Sequence, residues 1–149
     1  KRFGIDSNLK SDCSPIIDLV RACMEVAKIN AMKDPTRGGI ASCLNELAIK
    51  SGVAFFIDES TIPVKKQTIA IAEILGIDPL QTACEGRVVM CVEKNKAEDV
   101  LSVMRKFNKH AAIIGEVKKK PAGKVIMKTL VGGERFLEAP VGELYPRIC

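Results

Sequence analysis

The stretch Asp34-Pro35-Thr36-Arg37-Gly38-Gly39 stands between a short extended segment, 31–34, and an amphipathic run that puts Ile40, Leu44, Leu47 and Ala48 on one helical face. Proline and paired glycines break regular structure, so the chain must pass here from a strand through a tight loop into a helix. The backbone N–H groups that open such a helix, at Gly39 and Ile40, have no partners inside it and lie at the positive end of its dipole. Two glycines let a ligand come close to the backbone, Arg37 adds charge and Thr36 adds a hydroxyl donor. An anionic group such as a phosphate suits that arrangement. The spacing matches neither a Walker A loop nor G-x-G-x-x-G, and on spacing alone a plain strand-to-helix turn is the stronger reading.

The rest of the chain frames this loop. Ser14-Pro15 opens a helix carrying Ile16, Ile17, Leu19, Val20, Cys23, Met24 and Ala27. The helix after the loop stops at Ser51-Gly52, and a compact apolar strand covers 53–57. Ile62-Pro63 opens a helical stretch ending at Leu75-Gly76, and Asp78-Pro79 starts a short turn with Leu80 and Ala83. The continuous apolarity of 87–92 predicts a strand buried on both faces. Residues 96–107 form an amphipathic helix with Val100, Leu101, Val103, Met104 and Phe107 inward. Strands at 111–117 and 124–130, joined by Pro121-Ala122-Gly123, and a Gly132-Gly133 hairpin into 134–138 predict a closing β-meander. Helices alternating with strands argue one layered α/β domain with a mixed sheet over 1–139. A flexible tail without periodicity follows over 140–149.

Composition removes several functions. The 149 residues are 47% apolar, enough for one core. With no Trp and one Tyr there is little to stack on single-stranded nucleic acid. The net charge of +5 is dispersed, and its densest run, Lys118-Lys119-Lys120, reads as a solvated turn, so no nucleic-acid surface is expected. A single His disfavours a His-based metal site, and no metal ligands are assigned. No apolar run approaches the roughly 18 residues of a membrane helix and no leader is evident, so a cytoplasmic protein away from membranes is expected. The chain begins Lys1-Arg2-Phe3 rather than with Met, which suggests processing or part of something longer. Six cysteines, at 13, 23, 43, 84, 91 and 149, include no C-x-x-C pair and read as reduced thiols, four of them small core residues.

Two further features carry chemistry. Glu85, in Cys84-Glu85-Gly86-Arg87 at the mouth of a strand, is a candidate general base, although on the residues alone a solvated surface carboxylate is the stronger reading, and more so for Glu46. Cys149 is the last residue, and the nine residues from Val141 span roughly 30 Å when extended, long enough to carry a thiol between sites. A frayed terminus is the plain alternative. A prenylation box is excluded because its Cys lies four residues from the end.

The stretch D-P-T-R-G-G-I-A-x-x-L-N-E over 34–46, E-G-R at 85–87, I-I-G-E-V at 113–117 and the ending P-R-I-C together resemble one family. It is the C-terminal domain of the hydrogenase expression/formation protein HypE, the carbamoyl dehydratase of nickel–iron hydrogenase maturation. The resemblance runs from about Ser11 to Cys149, and D-P-T-R-G-G alone marks the wider aminoimidazole-ribotide synthetase-like superfamily. It implies an α/β/α domain whose N-terminal ATP-binding partner domain lies outside this chain, forms the full-length homodimer and binds most of the ATP and Mg²⁺. This domain alone is then expected to be inactive.

The resemblance also implies roles. A carbamoyltransferase loads the sulfur of Cys149, ATP-dependent dehydration turns the carbamoyl group into a thiocyanate, and cyanide passes to an iron centre in a scaffold complex. Cys149 would be the carrier nucleophile and Glu85 the base, with Asp34, Thr36, Arg37, Gly38 and Gly39 facing phosphate. Arg147 favours the thiolate and the terminal carboxylate opposes it, so reactivity depends on the partner's site. Cys84 and Arg87 stand where the family usually has Asn and Lys, which leaves the base site less defined. A sister enzyme such as a selenophosphate or ribotide synthetase would not need the terminal thiol, and a docking module without chemistry would bind a partner without it.

Overall fold

A computed structural model describes residue 11 and residues 13–142. Cys149 and Arg147 lie outside the described residues. Among the described residues four helices and six strands follow one another: α1 Ile17–Val26, β1 Ile29–Lys33, α2 Gly39–Ser51, β2 Ala54–Asp58, α3 Lys66–Leu75, β3 Val89–Val92, α4 Ala97–Phe107, β4 Gly115–Lys118, β5 Lys124–Lys128 and β6 Glu134–Phe136. Short 3-10 turns lie at Glu59–Thr61, Pro79–Gln81 and Lys94–Lys96.

The helix ends follow local chemistry in most places. α2 and α3 each end on a left-handed glycine, Gly52 and Gly76. The next N–H, of Val53 or Ile77, returns to the carbonyl of Ala48 or Ala72. α4 carries Glu98 and Asp99 in its first turn and Arg105 and Lys106 in its last, matching its dipole. Ser14 does not cap α1, whose N-cap is Ile16 with no side-chain bond. α3 starts at Lys66 rather than at Ile62-Pro63, where Ile62 is extended and the Val64 N–H turns back to the Ile62 carbonyl at 2.9 Å.

The mixed sheet is four-stranded, in the order β4-β2-β5-β6, and β1 pairs with β3 in a separate antiparallel ribbon. Here the meander expectation is corrected. The Pro121–Gly123 turn does not make a hairpin, because β2 lies between β4 and β5, antiparallel to the first and parallel to the second. The physical reason is burial: Phe55 and Ile57 are 6% and 4% exposed, and a central position covers them where an edge would not. The Gly132-Gly133 hairpin does form, pairing β5 with β6.

The core gathers Ala41, Leu44 and Ala48 of α2, Phe55 and Ile57 of β2, Leu80, Val125 and Met127 of β5, and Leu137. Val89 and Cys91 of β3 pack on it from the ribbon. β3 is half-buried along its whole length rather than buried on both faces, since among the described residues its one strand neighbour is β1. Phe107 is 52% exposed, outside the inward stripe of α4 that Val100 and Leu101 define. Among the described residues no helix is long and apolar enough to cross a membrane.

Candidate active site

β1 and β3 run antiparallel with Lys33 opposite Val89. The loop that leaves β1 and the loop that enters β3 therefore emerge at the same end of the ribbon. They are joined directly: the Cys84 N–H donates to the Pro35 carbonyl at 2.9 Å. Glu85 is thus brought beside the Asp34–Gly39 loop, half-buried like the residues around it. The Cys84 thiol faces the Thr82 carbonyl at 3.5 Å, and Arg87 folds back so that its guanidinium donates to the Gly86 carbonyl at 3.0 Å.

Within the first loop Pro35, Gly38 and Gly39 are buried, Thr36 is half-buried, and Asp34 and Arg37 are exposed. Gly38 and Gly39 both have positive φ, 77° and 60°. A Cβ on Gly39 would lie 2.6 Å from the carbonyl oxygens of both Leu80 and Thr82. Glycine is therefore required for the first turn of α2 to rest against the Pro79–Gln81 turn. The N–H of Gly39 is not open as the sequence suggested, because it donates to the Thr36 carbonyl at 2.9 Å and closes the turn. Among the described residues no side chain caps α2. The exposed Arg37 adjoins the positive end of a 13-residue helix, charge that favours an anionic group.

Glu46 has a structural task instead. It accepts from Lys33 at 2.9 Å and from Lys50 at 3.4 Å, tying the end of β1 to the second turn of α2 across the loop. The Lys33 hydrogen bond, aided by Lys50, holds its carboxyl below the usual glutamate range. Asn45 went unnoticed in the sequence. Its amide donates to the Ala41 carbonyl at 2.8 Å and to the Leu137 carbonyl at 2.7 Å. The available signal was an amide on the same helical face as Ala41 and Ala48, where apolar residues belong.

Of the other thiols, Cys43 is buried and pushed up to about 12 by that burial, and burial also raises Cys23 and Cys91. None of these three is activated as a nucleophile. Among the described residues no group of three or more His, Cys, Asp or Glu could hold a metal ion.

The family model for the AIR synthase related protein, C-terminal domain, matches residues 6–128. The chain belongs to this family. Proteins similar to it include a hydrogenase expression/formation protein of Methanocaldococcus jannaschii, 45% identical over 99% of this chain and 44% of its own length. The carbamoyl dehydratase HypE of Rhodobacter capsulatus is 38% identical over the same shares. The chain thus spans less than half the length of these relatives. Among solved structures, hydrogenase maturation protein HypE superposes with a TM-score of 0.93 at 36% identity, covering 99% of this chain and 50% of that one. HypE in complex with ATP gives 0.92 at 36%, covering 99% and 47%. The HypE–HypF complex gives 0.85 at 37%, covering 93% and 46%. These likenesses agree with the mixed α/β fold of the family.

Proposed function

We propose that this chain is the C-terminal domain of a carbamoyl dehydratase of hydrogenase maturation, and that it carries the acceptor thiol and the base while a second domain supplies most of the nucleotide site. The observation that carries this reading is the Cys84–Pro35 bond, which joins Glu85 to the Thr36–Gly39 loop in a domain whose relatives bear that name. A relative solved with ATP supports nucleotide use, and the HypE–HypF complex supports a transferase partner. The wider assembly, a homodimer that delivers cyanide to an iron-centre scaffold complex, belongs to the same proposal.

The chemistry is ordered by bond making and breaking. The thiolate of Cys149 attacks the carbonyl carbon of the activated carbamoyl group, forming S–C as the activating group leaves on the partner. ATP, when bound, supplies the phosphoryl group that makes the carbamoyl oxygen a leaving group. Arg37 and the N-terminal end of α2 hold that developing anion in place, with Thr36 offering its hydroxyl. The nitrogen releases one proton to solvent as the carbamoyl oxygen is phosphorylated; Glu85 accepts the second N–H proton as the oxygen departs with phosphate, and the electron pair of that bond completes S–C≡N. No ligand of Mg²⁺ is assigned to this chain.

The test is intact-mass spectrometry of the full-length protein with the transferase, carbamoyl phosphate and ATP. A carbamoyl mass on Cys149, followed by loss of water, is expected. Glu85→Gln should keep the adduct and slow the loss of water about 10²- to 10⁴-fold. Cys149→Ala should abolish the adduct. An active transferase that leaves wild-type Cys149 unmodified would sink the reading in favour of a docking module or a sister synthetase.

A further inference from the structure

The end of the described chain is fastened to the candidate site at two points. Leu137 is 1% exposed and is bonded from both sides. Its N–H donates to the Val125 carbonyl at 2.9 Å, continuing the β5–β6 pairing, and its carbonyl accepts from the Asn45 amide at 2.7 Å. Three residues later Pro140 crosses the start of α2. The position of a Cβ on Gly38 would be 3.3 Å from Pro140 Cγ and would overlap Ser42 Oγ, so the missing side chain makes room for both. Val141, the next residue, is 99% exposed. The described chain therefore leaves its packing, at Val141, beside the Thr36–Gly39 loop itself.

From this we infer that Asn45 and Pro140 are positioning residues, which fix the root of the C-terminal segment beside the anion-facing loop so that the reach of Cys149 is measured from that loop. The inference rests on the carrier reading above and deepens it. A carrier held at its root searches a small volume around one site, which raises the local concentration of the reacting group. Neither residue touches substrate in this account. Asn45 acts through the Leu137 carbonyl, and its donor groups rather than its volume do the work. Loading by the partner protein needs only an accessible thiol, whereas dehydration needs the thiol to return to its own domain. The two steps should respond differently when the root is loosened.

The experiment uses the full-length protein, loaded on Cys149 by the transferase, with both steps followed by intact mass. Asn45→Ala, Asn45→Asp and Pro140→Gly are compared with wild type. Asn45→Asp fills the same volume but, ionised, cannot donate to a carbonyl. Pro140→Gly loosens the root and leaves the Asn45 bonds intact. All three are expected to load within twofold of wild type and to lose water about tenfold more slowly, with an unchanged KM for ATP. A merely structural role predicts that loading and dehydration fall together, and that result overturns the inference. So do variants that match wild type in both steps. A wild-type protein that loads but never loses water overturns the functional reading and this inference with it, a failure visible without any variant.

Discussion

Cys84 donates its N–H to the carbonyl of Pro35 at 2.9 Å, and through that bond two loops separated by almost fifty residues of chain become one surface. The antiparallel pairing of Lys33 with Val89 makes the meeting inevitable, because it sends both loops off the same end of the ribbon. A backbone bond of this kind does not depend on the side chain at 84, so a Cys there keeps the placement of Glu85 intact.

Gly39 and Gly52 both have positive φ, yet they should respond differently to alanine. At Gly52 the new Cβ meets nothing within 4 Å, and only the left-handed conformation is penalised, by about 1 kcal/mol. At Gly39 the same penalty is joined by contacts of 2.6 Å with two carbonyl oxygens, for a total of about 3 kcal/mol. Urea denaturation of the two variants measures the difference. Equal losses would show that α2 does not press on the Pro79–Gln81 turn.

Arg37 is exposed, so Arg37→Ala should leave stability within about 0.5 kcal/mol of wild type. In the full-length protein the same change should slow the ATP-dependent step about tenfold or more, since a charge-assisted contact to an anion is lost. Thermal unfolding and the water-loss assay together separate the two effects. A normal rate would remove Arg37 from the site.

The Lys33–Glu46 pair gives a weak pH dependence of predictable sign. The folded carboxyl titrates below its unfolded value, so its contribution is present above that value and fades as pH falls through the folded one. Lys33, raised first by the same hydrogen bond, loses its share only as pH rises through its own folded value. Glu46 is 46% exposed, so solvent screening keeps the pair under about 1 kcal/mol. Glu46→Gln should be slightly less stable than wild type near neutrality, and the gap should close in acid. A gap that widens in acid would contradict the assignment.

Thiol reactivity should sort by burial. At about pH 8, iodoacetamide should label the exposed Cys13 in the native domain, while Cys43, pushed up to about 12, labels only after unfolding. Peptide mapping before and after denaturant reads this directly. Rapid native labelling of Cys43 would mean that α2 opens far more often than its buried face allows.

What the residues disclosed by themselves follows the range of the forces involved. α2 was legible because Leu44 and Ala48 repeat with the helical period and Gly52 ends the run within its own turn. The strand-loop-helix unit at 31–40 was legible for the same local reason. The order of the strands was not, because Pro121–Gly123 looks like any short turn, while the insertion of β2 is decided by partners some sixty to seventy residues away. Val89–Val92 looked doubly buried because apolarity reports that a strand meets a core, not how many neighbours it has. Glu85 could be named from its motif, but its closeness to the Thr36–Gly39 loop belongs to the ribbon register. The two bonds of Asn45 span both ranges, and only the one to Ala41 is local.

The position of β2 has a consequence for how the domain is made. Its two strand partners are residues 115–118 and 124–128, so on a ribosome the strand leaves the exit tunnel long before either partner exists. Phe55 and Ile57 must wait, with both edges of their backbone unpaired, until nearly the whole domain has been synthesised. β1 waits in the same way for β3. The nascent chain should therefore acquire its tertiary structure late and in one step, and until then it presents an apolar strand that suits chaperone capture.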